Sequence, residues 1–112
     1  MSDFKVIFPA FYNVDDVLND NLDVNIIFPD GGVFFIAVFT ISNLEMLMKN
    51  SGGIYFWSSD MVVVRDLNKE TIKEAISQII RDGYYESAFC KIGTIETVYS
   101  KVKSYEDIES EV

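Results

Sequence analysis

The run Val33 to Phe39 carries no polar alternation and is bounded by Asp30, Gly31 and Gly32 on one side and by Thr40 and Ser42 on the other. A continuous apolar run of this length reads as a strand with both faces covered, so it is placed at the centre of a sheet. Asp23 to Phe28 precedes it, and the intervening Pro29, Asp30, Gly31 and Gly32 contain the Asp-Gly pair that favours a tight turn. A hairpin is expected there. A second one is read from Ile54 to Trp57 and Met61 to Arg65, flanking Ser58, Ser59 and Asp60. Further strands are expected at Phe4 to Phe8 and from Tyr84 to Ile92.

Helical periodicity is clearest after Asn68. Ile72, Ala75, Ile76, Ile79 and Ile80 recur at i, i+3, i+4, i+7 and i+8, a broad apolar stripe opposite Lys69, Lys73, Glu74 and Arg81. Asn68 is the expected N-cap, Leu67 and Ile72 the staple pair, and Gly83 the C′ residue. An earlier helix is predicted from a capping box, Ser42 with Glu45, with Ile41 and Met46 as staple and Gly52-Gly53 as stop. Its apolar face is Leu44, Leu47 and Met48. Asn13 to Asn21 reads as a short helix through Val14, Val17 and Leu18, against which Asn13, Asn19, Asp20 and Asn21 suggest loop. Ile95, Val98, Tyr99 and Val102 have helical spacing, and strand remains open there because of their β-branched content. Residues 106 to 112 form an acidic tail expected to fray. The sum is one α+β domain over residues 1 to 112: a mostly antiparallel sheet of about five strands with two or three helices packed on it.

At 112 residues a single core is expected, and 9 Phe, 6 Tyr and one Trp supply bulk to fill it. No stretch is long and apolar enough to predict a membrane span, and the first residues lack the pattern of a secretory signal, so cytoplasmic residence is the expectation. The chemistry is sparse. There is no histidine, and Cys90 is the one cysteine, which removes the usual general base, disulfides and multi-cysteine metal sites. Between Ala88-Phe89 and Lys91-Ile92, Cys90 reads as a small core residue. The glycine pairs lack the lysine of a phosphate-binding loop. Asp15, Asp16, Asp20 and Asp23 lack the glycine and closing glutamate of a calcium loop. No catalytic residue, metal or cofactor is assigned, and the chain is read as a non-enzyme.

Eighteen acidic against nine basic residues leave a net charge of −9, which opposes direct nucleic-acid or anionic-membrane binding and suits a basic protein partner. The partner-binding candidates are the aspartates Asp15, Asp16, Asp20 and Asp23 with the tyrosines Tyr12, Tyr84 and Tyr85, which lie beside acidic residues or strand ends. In Tyr55, Phe56 and Trp57, alternation points Tyr55 and Trp57 to one face and Phe56 to the other, and core packing is favoured for Phe56 and, to a lesser degree, for Trp57.

The stretch Gly53 to Met61 (Gly-Ile-Tyr-Phe-Trp-Ser-Ser-Asp-Met), followed by Val62 to Leu67, resembles small immunity proteins of bacterial contact-dependent growth inhibition and related polymorphic toxin systems. The segments Asp30 to Leu44 and Ile72 to Phe89 fit the same layout, so the resemblance covers roughly residues 22 to 92. It implies a cytosolic inhibitor that binds the C-terminal toxin domain of a large secreted or surface effector, often a nuclease with a basic surface, at or near the active site. No binding residue is carried over by position. Two other classes stand beside it: a structural or assembly subunit, such as a phage or secretion accessory protein, and a minimal carboxylate enzyme.

Overall fold

The computed structural model describes residues 3–8, 12, 14–99 and 104–108. Five strands form one sheet: β1 (Lys5–Ile7), β2 (Asn21–Ile27), β3 (Gly32–Thr40), β4 (Met61–Val64) and β5 (Cys90–Thr94). Its helices are α1 (Ile41–Asn50), α2 (Lys69–Arg81) and the single turns α3 (Tyr85–Ala88) and α4 (Ile95–Val98), followed by a 3-10 turn at Tyr105–Asp107. The fold is α+β with a mostly antiparallel sheet. Among the described residues, no helix is long and apolar enough to cross a membrane.

As the unbroken apolar run requires, β3 is the central strand. One edge pairs with β2 over its whole length; the other is shared, with β5 antiparallel along Gly32 to Phe35 and β4 parallel along Ala37 to Thr40. The β2–β3 turn forms as its Asp-Gly predicts: Gly31 has φ +93, and Asp30 Oδ1 accepts from the Gly32 amide at 2.8 Å.

The two faces of the sheet are covered differently. On one, Ile72, Ile76 and Ile80 of α2 pack against Val6, Val24, Ile26, Ile36 and Val38, all buried. This is the stripe read from the spacing, with Ala75 and Ile79 partly buried at its margin. Leu67 and Ile72 are both fully buried, as a staple requires. Gly83 (φ +83) ends α2 in a Schellman arrangement, its amide reaching the Ile80 carbonyl and that of Tyr84 reaching Ile79. The opposite face carries a smaller cluster, Ile27, Val33, Ile95 and Ile108. Lys5 Nζ donates to the carbonyls of Tyr105 and Ile108 at 2.7 Å each, so Ile108 is held against the sheet inside the stretch expected to fray.

Several local expectations are corrected. The α1 N-cap is Thr40, whose hydroxyl accepts from the Asn43 amide, so Ser42 already lies inside the helix. The supposed staple residues Ile41 and Met46 are exposed, and the buried α1 side chain is Asn43, which accepts from Asn21 Nδ2 at 2.7 Å. Ile54 to Trp57 is not a strand: a glycine-terminated helix end leads into an extended loop, and β4 pairs with β3 in parallel where a hairpin was expected. Tyr84 to Ile92 is a strand only from Cys90, because α3 turns Tyr85 into an aromatic cluster first. Cys90 itself is half-buried. Val14 to Asp20 is an irregular turn, with Asp16 Oδ1 accepting from the Leu18 amide; a carboxylate bonding its own backbone competes with helix. Asn13 and Val102 lie outside the described residues, and α4 ends at Val98.

Candidate functional site

The seven partner-binding candidates fall at two ends of the sheet. Asp15 and Asp16 sit exposed in the turn before β2, which is tied to the start of α2 by the Leu67 amide on the Val17 carbonyl. Asp20 is half-buried, its carboxylate bonding the Asn21 amide and its backbone pairing with Thr40. Tyr84 and Tyr85 lie beyond the other end of β2, about 20 Å away at the ~3.3 Å rise of a strand. No single surface joins all seven.

Two of the tyrosines face inward. Tyr12 donates its hydroxyl to the Leu67 carbonyl, meets Phe8 edge-on at 5.5 Å and carries the Lys69 ammonium 4.7 Å above its ring. Burial, and then the nearby carboxylates of Glu70 and Asp66, raise its phenol above the usual value. It fastens the N-terminal segment to the start of α2. Tyr85 packs on Phe28, Phe34 and Phe89. Tyr84, by contrast, is 69% exposed.

Asp23 leads to a surface that the choice of acidic and tyrosine residues missed. The register aligns Asp23 of β2 with Ala37 of β3 and Met61 of β4, and Asn21 with Phe39 and Val63 in the next row. Phe56 packs its ring on Phe39 at 5.6 Å, so the α1–β4 connection runs over this face. Anchoring Phe56 turns its neighbours outward, which corrects the reading of Trp57 as a core residue. Tyr55 and Trp57 are 65% and 72% exposed and Ile54 is 85% exposed, while Val63, beside Phe39, is 47% exposed. Gly52 (φ +105) and Gly53 (φ +81) release the chain from α1 into this segment. The site is therefore an aromatic and aliphatic apron over one half of the sheet, with the exposed Asp23 carboxylate on the same face.

Among the described residues no group of three acidic or cysteine side chains could hold a metal ion. The strongly shifted carboxylate is elsewhere: hydrogen bonds from the Thr71 hydroxyl and the Asn68 amide, with a smaller contribution from Arg65, hold Asp66 at about 2. Its Oδ1 accepts from that amide at 3.0 Å. Asp66 thus satisfies the backbone at the entry to α2, where the Asn68 side chain makes no capping bond. Its role is structural.

The chain is thus a small α+β domain with an exposed aromatic apron. No protein family, curated protein or solved structure matches it.

Proposed function

We propose that this domain is a non-catalytic inhibitor, an immunity protein that binds a basic toxin domain through the apron. The observation that carries the reading is the outward display of Tyr55 and Trp57, 65% and 72% exposed, by an anchored Phe56. Tyrosine and tryptophan are the residues that most often dominate protein–protein binding energy, and leaving them in water serves no purpose within the fold. Asp23 on the same face and the net charge of −9 suit a basic partner and speed its encounter. The resemblance of residues 22 to 92 to immunity proteins of contact-dependent inhibition systems points the same way, and with it a cytoplasmic site of action.

On this reading a neighbouring gene encodes a large effector with a toxic C-terminal domain, and the test is survival of bacteria expressing that domain. Wild-type chain should protect and co-purify with the toxin. Trp57→Ala should weaken binding by roughly 30-fold, the effect of a ~2 kcal/mol hot spot. Asp23→Lys should slow association chiefly at low salt, where the Debye length is ~30 Å. Absence of protection by the wild-type chain would remove the inhibitor class; full protection by Trp57→Ala would move the interface off the apron.

An assembly subunit is the second reading, favoured by β4, whose outer edge pairs with no strand among the described residues and carries exposed Val63. Concentration-dependent dimerisation in sedimentation, lost in Val63→Lys, would support it against a monomeric inhibitor.

A further inference from the structure

At the end of the sheet away from Asp20, five segments converge on an open cleft of about 640 Å³. Its floor is aromatic. Phe28 and Phe34 meet edge to face at 5.3 Å and 89°, and Tyr85 closes against both at 5.0 and 5.6 Å. Around the rim stand three carboxylates, Asp3 ahead of β1, Asp30 in the β2–β3 turn and Glu86 in α3, with one ammonium, Lys91 of β5. Three negative charges against one positive leave the cleft an excess of two.

The chemistry of this lining selects among ligands. The carboxylates come from separate elements and do not converge on a point; among the described residues none of them belongs to a group that could hold a metal ion. A bare, strongly hydrated cation therefore has no cage. A broad, weakly hydrated organic cation is suited to both parts of the site, because its planar head lies against the half-buried Tyr85 ring and its stem against the small accessible areas of Phe28 and Phe34, while its charge is met by dispersed carboxylates. Nor is the rim loosely built: Asp30 is fixed by its bond to the Gly32 amide, and Glu86 follows directly on the packed Tyr85.

We propose that this cleft binds an alkylguanidinium group, supplied either by an arginine side chain of a partner protein or by a free small cation. Lys91 tempers the site: its ammonium borders the same space and opposes a second positive charge. The proposal does not rest on the inhibitor reading, whose surface is the apron on the other half of the molecule.

The experiment is a titration of the ¹⁵N-labelled chain with n-propylguanidinium, with the neutral isostere n-propylurea, and with a blocked Gly-Arg-Gly tripeptide, followed by amide shifts. Propylguanidinium should give saturable shifts at Phe28, Phe34, Tyr85 and Glu86, and propylurea should not. Glu86→Gln and Asp30→Asn, the second of which keeps an acceptor for the Gly32 amide, should each weaken binding about threefold, and Lys91→Met should tighten it about threefold, as expected for partly exposed charge pairs. Thermal melts confirm that the variants are folded. Tripeptide binding at least as tight as that of the free cation assigns a protein side chain as the source; binding of the free cation alone assigns a small molecule. Equal affinity for propylurea, variants that bind as the wild type does, or shifts confined to Asp15, Asp16 and Asp20 would overturn the site.

Discussion

The two long helices use their apolar residues in opposite ways. In α2 the side chains of Ile72, Ile76 and Ile80 are at most 8% exposed and sit in the main core. In α1 the buried residue is a hydrogen-bonded asparagine, Leu44, Leu47 and Met48 are only partly covered, and the loop that follows displays Ile54, Tyr55 and Trp57. One region converts apolar area into stability; the other leaves it in water. Within a single small domain this contrast separates what holds the fold from what is available to a partner.

The largest effect expected is in the first region. Ile76→Ala should lower stability by about 2–5 kcal/mol, because it empties a fully buried site between helix and sheet. A denaturation midpoint unmoved by that change would break the distinction. At the junction of the two regions, Thr40 is 1% exposed, caps α1 through its hydroxyl and also meets the Asp20 amide. Thr40→Val preserves shape and removes the acceptor, so it should cost about 1 kcal/mol. A neutral result would mean that α1 needs no cap to hold its place.

Asp66 offers a pH-dependent probe of the start of α2. Its carboxyl is held at about 2, below the ordinary 3.8, so the folded state favours the ionised form. The resulting stabilisation is fully present above pH ~4 and is lost as pH falls towards 2. Asp66→Asn keeps an acceptor for the Asn68 amide and removes the charge. The variant should therefore be less stable than wild type at pH 6, with the gap narrowing by pH 3, as read from urea midpoints. A gap independent of pH would contradict the assignment. The smallest effect belongs to the apron: Trp57→Ala should change stability by less than about 0.5 kcal/mol, as exposed substitutions do, while it impairs partner binding.

Much of the scaffold was legible because its signals are local. The isoleucine spacing that defines α2, the glycine that ends it, the Asp-Gly turn before β3 and the unbroken apolar run of β3 each depend on residues within a few positions of one another, and each forms as read. The candidate site was legible only in fragments. Tyr12 and Tyr85 satisfy the same composition rule as Tyr84, yet the first donates into the backbone at Leu67 and the second joins the Phe28 and Phe34 rings. A tyrosine can lie in a core or on a surface, and its sequence neighbours do not decide between them.

By itself, then, the sequence determined the α+β class, the central strand, the α2 stripe and the acidic surface charge, since periodicity, turn chemistry and composition act over short range or over the whole chain. Only the tertiary structure decided which edge β4 would take. Met61 to Val64 could have folded back on Ile54 to Trp57, but the free half of β3 along Ala37 to Thr40 captured it in parallel, and the unpaired segment was left over the sheet with Phe56 anchored and Trp57 outside. Strand pairing is a competition among edges distant in the chain, and its outcome rests on packing that no local pattern contains.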